Sequence, residues 1–147
     1  MTRNSVTARL ALPAAALGGA KFYAHDTGAS GAIEWYDAVK GCTAVVNLAG
    51  APISNPWNED YKKVLVKSRL SATKRLADVI NRLPEDERPN FISSSAVGYY
   101  GISKKAVFDE SSRAGKDFLA KLCVQWEAGT APCAHVFCYH YYSLLDS

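Results

Sequence analysis

No apolar run in this chain approaches the ~18 residues that a membrane-spanning helix requires, so no helical membrane span is expected. Cysteine is sparse. Four residues, Cys42, Cys123, Cys133 and Cys138, in 147 fall short of a disulfide scaffold, so free thiols and a reducing compartment are the expectation. Cys133, His135, Cys138 and His140 make a C-x-H-x2-C-x-H cluster of zinc-type ligands. Its spacing fits no ordinary zinc motif, so the cluster is read as part of an irregular tail and no metal is expected. Charge of one sign is also scarce, with 17 basic against 14 acidic residues and a net +3. Lys62, Lys63, Lys67, Arg69, Lys74 and Arg75 supply much of the basic excess in one segment. They spread around several helix faces between apolar positions, which favours a solvated surface over a nucleic-acid groove. No nucleic-acid partner is expected.

What is present describes one ordinary globular domain: 48% hydrophobic and 21% charged residues in a length that holds one core and not two. No acidic residue precedes Asp26, while Arg3, Arg9 and Lys21 alternate with Thr2, Ser5, Thr7 and many alanines. Residues 1–24 therefore read as a leader of the organelle-transit kind, for a plastid or mitochondrion. The same residues also fit a secretory signal, with Arg3 and Arg9 before the apolar stretch 10–20. Pro13 and Gly18-Gly19 weaken a helix in either reading, and without a working leader the location is cytoplasmic. The domain proper is assigned to 25–128 and an irregular tail to 129–147.

From Cys42 the pattern is regular. Cys42-Thr-Ala-Val-Val-Asn-Leu48 is a short β-branched run closed by Ala49-Gly50-Ala51-Pro52, the signature of a buried parallel strand. Asn58 is a good helix N-cap, with Glu59 and Asp60 where carboxylates suit the helix dipole. Leu65, Ser68, Ala72, Leu76, Val79 or Ile80, and Leu83 then make a helical stripe that Pro84 stops. Phe91–Ser95 reads as a second strand running into the turn Gly98-Tyr-Tyr-Gly101, and a last helix is expected over 114–128. Strand, helix, strand is the parallel crossover unit, so the fold class is α/β. The tail after Glu127 lacks clear periodicity; it fits either a final strand or sequence foreign to the domain.

In open parallel sheets, ligands bind beyond the carboxyl ends of the strands. Two such ends carry candidates. Asn47-Leu-Ala-Gly50 presents small residues against which a nucleotide could lie, or is simply a tight turn. Ser93-Ser-Ser95 offers hydroxyls for a ribose or a substrate carbonyl, or closes the strand as turn residues.

Ala44-Val-Val-Asn-Leu-Ala-Gly-Ala-Pro-Ile53, Ser68-Arg-Leu70 with Thr73, Ser95-Ala-Val-Gly-Tyr-Tyr-Gly101, Phe108-Asp-Glu110, Asp117-Phe-Leu-Ala120 and Trp126-Glu127 occur in that order. Together they resemble the atypical, epimerase-like branch of the short-chain dehydrogenase/reductase superfamily, and most of all its plant, plastid-targeted members. The resemblance covers roughly 33–128. It implies a Rossmann-like parallel sheet with flanking helices and a bound NADP or NAD. That dinucleotide would contact Leu48, Ala49 and Gly50 together with Ser93 and Ser94. It also implies that Ser95 orients the substrate, with Tyr99 or Tyr100 as the replacement acid unless these tyrosines only pack the turn.

The departures from the family pattern define the expected function. The only candidate for the opening phosphate-binding glycine motif is Thr27-Gly-Ala-Ser-Gly-Ala-Ile33, preceded by Lys21-Phe-Tyr-Ala24. Glu34 stands where the third glycine belongs, and Asn47 follows Gly28 by only nineteen residues, where two strand–helix units normally intervene. The superfamily's Tyr-x-x-x-Lys pair, in which the lysine lowers the tyrosine pKa, falls by resemblance near Phe118 and Leu122, and neither does acid–base work; the branch as a whole tends to lack this pair, so its loss is not peculiar to this chain. The substrate-binding lobe that follows in the family has no counterpart after Ala128. The sheet is therefore expected to be incomplete and the chain catalytically impaired, with an NAD(P)-binding epimerase or reductase-like protein as the parent activity. The alternative is a non-catalytic scaffold or regulator, plastid-located or related to cell division as some family labels suggest, acting through a protein partner. An exposed sheet edge would favour a homo-oligomer or such a partner.

Overall fold

The computed structural model of the chain describes residues 31–103, 105–133 and 136–141. The leader assigned to 1–24, the strand-like 21–24 and Gly28 of the glycine segment lie outside the described residues. The architecture is α/β, a three-stranded parallel sheet with helices packed on one face.

Gly31–Val39 forms helix α1, so the second glycine of the candidate motif opens a helix. Trp35 and Val39, one turn apart, are buried by it. Gly41 ends the helix in the left-handed region at φ 77°, which glycine adopts without a Cβ penalty, and the Cys42 N–H turns back to the Val39 carbonyl at 3.1 Å. Strand β1, Ala44–Asn47, lies within the predicted run.

Helix α2, Glu59–Asn81, starts as its signals predict: the Asn58 side chain accepts from the Tyr61 N–H at 2.7 Å. Lys62–Glu59 and Lys63–Asp60 are exposed i,i+3 pairs and add little. The helix stops three residues before Pro84. Strand β2, Asn90–Ala96, pairs in parallel with β1 in the register Val45–Phe91 and Asn47–Ser93.

Helix α3, Phe118–Ala128, begins four residues later than predicted, capped by Asp117, whose carboxylate accepts from the Ala120 N–H at 2.9 Å. The reason is tertiary. The Gly115 N–H is taken by the Tyr99 carbonyl at 2.8 Å, and an added Cβ at Gly115 would sit 2.8 Å from Gly101 backbone. The chain there is pressed against the turn instead of coiling.

The tail assigned as irregular is corrected at 136–141. Val136–Tyr141 forms β3, parallel to β2 from Phe91–Val136 to Ala96–Tyr141. Its run Val-Phe-Cys-Tyr-His-Tyr suits a strand. A crossover strand carries no adjacent turn signal, however, and each of its residues pairs with one about 45 positions back. Cys133 enters the core; His135 of the proposed metal-type cluster lies outside the described residues, and so do the side chains of Cys138 and His140.

The order β1-β2-β3 follows the chain, as one half of a doubly wound sheet does. The core lies between the sheet and α1 and α2, built from Trp35, Val39, Leu76, Ala77, Ile80 and Phe91. The opposite face is bare among the described residues: Val46 is 56% and Leu48 77% exposed, where a parallel sheet ordinarily has a second layer. Among the described residues no helix is long and apolar enough to cross a membrane.

Candidate functional site

The carboxyl end of β1 is built around one buried amide. Asn47 Nδ2 donates to Thr73 Oγ1 at 2.8 Å and to Ser93 Oγ at 3.3 Å, and its Oδ1 accepts from the Ala49 N–H at 3.2 Å. Thr73 Oγ1 also accepts from Trp126 Nε1 at 2.8 Å. One side-chain network therefore joins β1, α2, β2 and α3, with every member buried. A second anchor lies four residues on, where the Ala51 N–H donates to Ser68 Oγ at 3.0 Å. Leu48, Ala49 and Gly50 span the gap between the anchors and are all exposed. Beside them runs a groove of about 340 Å³ in which Asn47 joins the apolar side chains of Trp35, Val45, Val46, Leu48 and Leu76. The loop thus presents exposed backbone between two anchored ends, beside this groove.

The three serines of β2 separate by the strand's period of two. Ser93 faces the helices, buried, as an acceptor for Asn47. Ser94 lies on the bare face, half-buried, and donates to the Asn47 carbonyl at 3.2 Å. Of the two serines predicted to touch a cofactor, Ser94 is the accessible one. Ser95 is 3% exposed and its hydroxyl donates to Glu127 Oε1 on α3. Cys123 lies beside this pair, its Sγ 3.8 Å from the Ala96 carbonyl, and burial pushes its thiol pKa up, with the Glu127 carboxylate adding to the effect.

Tyr100 is buried in an edge-to-face contact with Tyr99 at 5.2 Å and stacked on Phe108 at 5.4 Å. Its place is in the packing of the turn, while Tyr99 is half-buried. Phe118, expected near the tyrosine's place, packs against Trp57 at 5.9 Å with the Lys62 ammonium 5.7 Å from its ring centre. Leu122, expected near the lysine's place, is buried. The region around Phe118 is a second, more open groove of about 450 Å³, rimmed by Lys62, Lys63 and Lys67. Among the described residues no group of His, Cys, Asp or Glu is arranged to hold a metal ion.

Sequence reasoning missed Glu127 as the partner of Ser95 and the shared role of Thr73 and Trp126. Each appears in the quoted motifs, but only the packing of α3 on β2 and α2 brings them together.

A family model described as the NAD dependent epimerase/dehydratase family matches residues 1–127. The epimerase family protein SDR39U1 homolog, chloroplastic, of Arabidopsis thaliana is 52% identical over 99 residues, which is 67% of this chain and 28% of that protein. The crystal structure of human epimerase family protein SDR39U1 (isoform 2) with NADPH superimposes with a TM-score of 0.58 at 36% identity, covering 65% of this chain and 35% of that one. A nucleoside-diphosphate sugar epimerase from Corynebacterium glutamicum gives the same TM-score at 31% identity, covering 71% of this chain and 23% of that one. The chain thus spans about a third or less of the length of these relatives.

Proposed function

Because the chain belongs to the NAD dependent epimerase/dehydratase family, we propose that it carries a dinucleotide-contacting part of such a protein, taking NADP(H) or NAD(H), and is impaired in catalysis. The observation that carries this is the exposed span Leu48–Gly50, held at both ends by Asn47 and by Ser68 on Ala51. Ser94, half-buried beside the Asn47 carbonyl, is the hydroxyl that reaches the same strand ends. The dinucleotide would supply a hydride acceptor and donor; this chain's residues would present backbone, exclude water through the Trp35–Leu48 groove, and orient the ribose. Impairment follows from Phe118 and Leu122, which offer no proton where the superfamily has its acid. In this reading Ser95 acts as a brace through Glu127, and Tyr99 is the remaining candidate for a proton donor. The human relative's NADPH and the Arabidopsis relative's chloroplastic name support NADPH and a plastid location as the first choices.

The second reading, a non-catalytic scaffold with a protein partner or a second copy, is favoured by the bare face around Val46 and Leu48. Thermal-shift and calorimetric titration with NADPH and with NADH separates the two. Ligand at a hundred times its Kd stabilises the folded state by ~2.7 kcal/mol. A saturable rise in melting point supports dinucleotide binding, whereas a folded protein unmoved by either cofactor supports the scaffold.

A further inference from the structure

We propose that Arg69 is the positioning residue of the Leu48–Gly50 loop, clamping its backbone against α3 in the form a dinucleotide contacts. This rests on reading that loop as the dinucleotide surface. Arg69 leaves α2 beside Ser68 and meets the loop directly. Its Nη2 donates to the Ala51 carbonyl at 3.1 Å and its Nη1 to the Leu65 carbonyl at 3.3 Å. The guanidinium lies over the Trp126 ring at 5.2 Å. Both polar groups of the Ala51 backbone are therefore held by consecutive residues of one helix, the N–H by Ser68 and the carbonyl by Arg69.

The contact continues under Gly50. A Cβ built there would stand 3.0 Å from Cζ, 3.1 Å from Nη2 and 3.2 Å from Nε of Arg69, so the loop backbone lies close on the guanidinium and a side chain at this position would push it aside by a few tenths of an ångström. Arg69 is half-buried, and among the described residues no carboxylate pairs with it. Burial lowers its pKa accordingly. An unbalanced, partly desolvated cation is costly, and its donors are directed at backbone carbonyls and its face at Trp126. A planar fork reaches two carbonyls and stacks at once; a lysine ammonium, a point charge, does not. Arg69 thus links Trp126, at the foot of α3, to the loop whose other end is held by the Asn47–Thr73–Trp126 network.

The test compares wild type with Arg69→Lys, Gly50→Ala and the double variant, reading NADPH affinity, melting temperature and amide exchange at residues 48–51. Arg69→Lys is expected to weaken NADPH at least tenfold and to speed exchange within the loop, while core amides on β2 keep their protection. Gly50→Ala, whose methyl displaces the guanidinium, is expected to weaken NADPH about fivefold when introduced into wild type and under twofold when introduced into the Arg69→Lys variant. A mere contribution to α2–α3 packing would instead make the two effects additive and slow or speed the core amides with the loop. Wild-type affinity and loop exchange in Arg69→Lys, or additivity in the cycle, overturns the proposal. If wild type itself does not bind NADPH, the dinucleotide reading fails, and loop exchange alone decides: selectively faster at 48–51 in Arg69→Lys upholds the clamp, unchanged refutes it.

Discussion

Replacing Asn47 by Ala removes three hydrogen bonds at once, those to Thr73, Ser93 and the Ala49 N–H. At a net contribution near 1 kcal/mol each, with a small void added, the loss is about 2–4 kcal/mol. For a domain of this size that is a fall of roughly 10 °C in melting temperature. Thr73→Val carries a similar cost for a different reason, because it leaves the Asn47 amide and the Trp126 indole N–H, both buried donors, without the oxygen they share. The two substitutions cut one network, so the double variant is expected to lose at least about 1 kcal/mol less than the two single losses combined. Urea denaturation of wild type, both single variants and the double variant gives the four free energies required. Additivity within about 0.5 kcal/mol would refute a shared network. A fall of less than about 3 °C in Asn47→Ala would refute the view that Asn47 anchors the strand end.

Gly115→Ala forces a methyl onto Gly101 and the Tyr100 carbonyl at 2.8 Å, and is expected to destabilise the protein by about 1–3 kcal/mol in thermal melts, with a change in Tyr99 and Tyr100 fluorescence. Leu122→Lys puts an ammonium into a buried site. The expected loss is on the order of 3 kcal/mol or more at neutral pH, recovering as pH rises toward about 10, since the folded-state pKa of such a lysine is depressed and only the charged form is penalised. Stability independent of pH would contradict this burial. Burial raises the thiol pKa of Cys123 and Cys133, which keeps them protonated near about pH 8, while Cys42 is exposed. Alkylation followed by peptide mass spectrometry is expected to label Cys42 before Cys123 and Cys133 in the native state and these three at similar rates in denaturant; early labelling of Cys123 would contradict the packing of α3 on β2.

Local chemistry made much of the fold legible. The Asn58 cap, the apolar stripe of α2, and the β-branched runs of β1 and β2 each specify their element through contacts within a few residues, and each appears where predicted. Where prediction failed, the deciding contact was distant. The start of α3 moved to Phe118, behind its Asp117 cap, because Gly115 is held by Tyr99 and Gly101, and β3 exists through pairing with residues about 45 positions earlier. The candidate site divides in the same way. That Leu48–Gly50 and the serines lie at strand ends follows from the order of small and β-branched residues along the chain. That Ser93 and Ser95 turn inward while Ser94 turns out is set by the sheet's pleat against α2 and α3. Residue identity and short-range spacing carry the elements and the family motifs, because both act within a few residues of chain. Which hydroxyl is accessible, the hold of Glu127 on Ser95 and the place of Arg69 under Gly50 depend on how the helices pack on the sheet, because each joins groups distant in the chain.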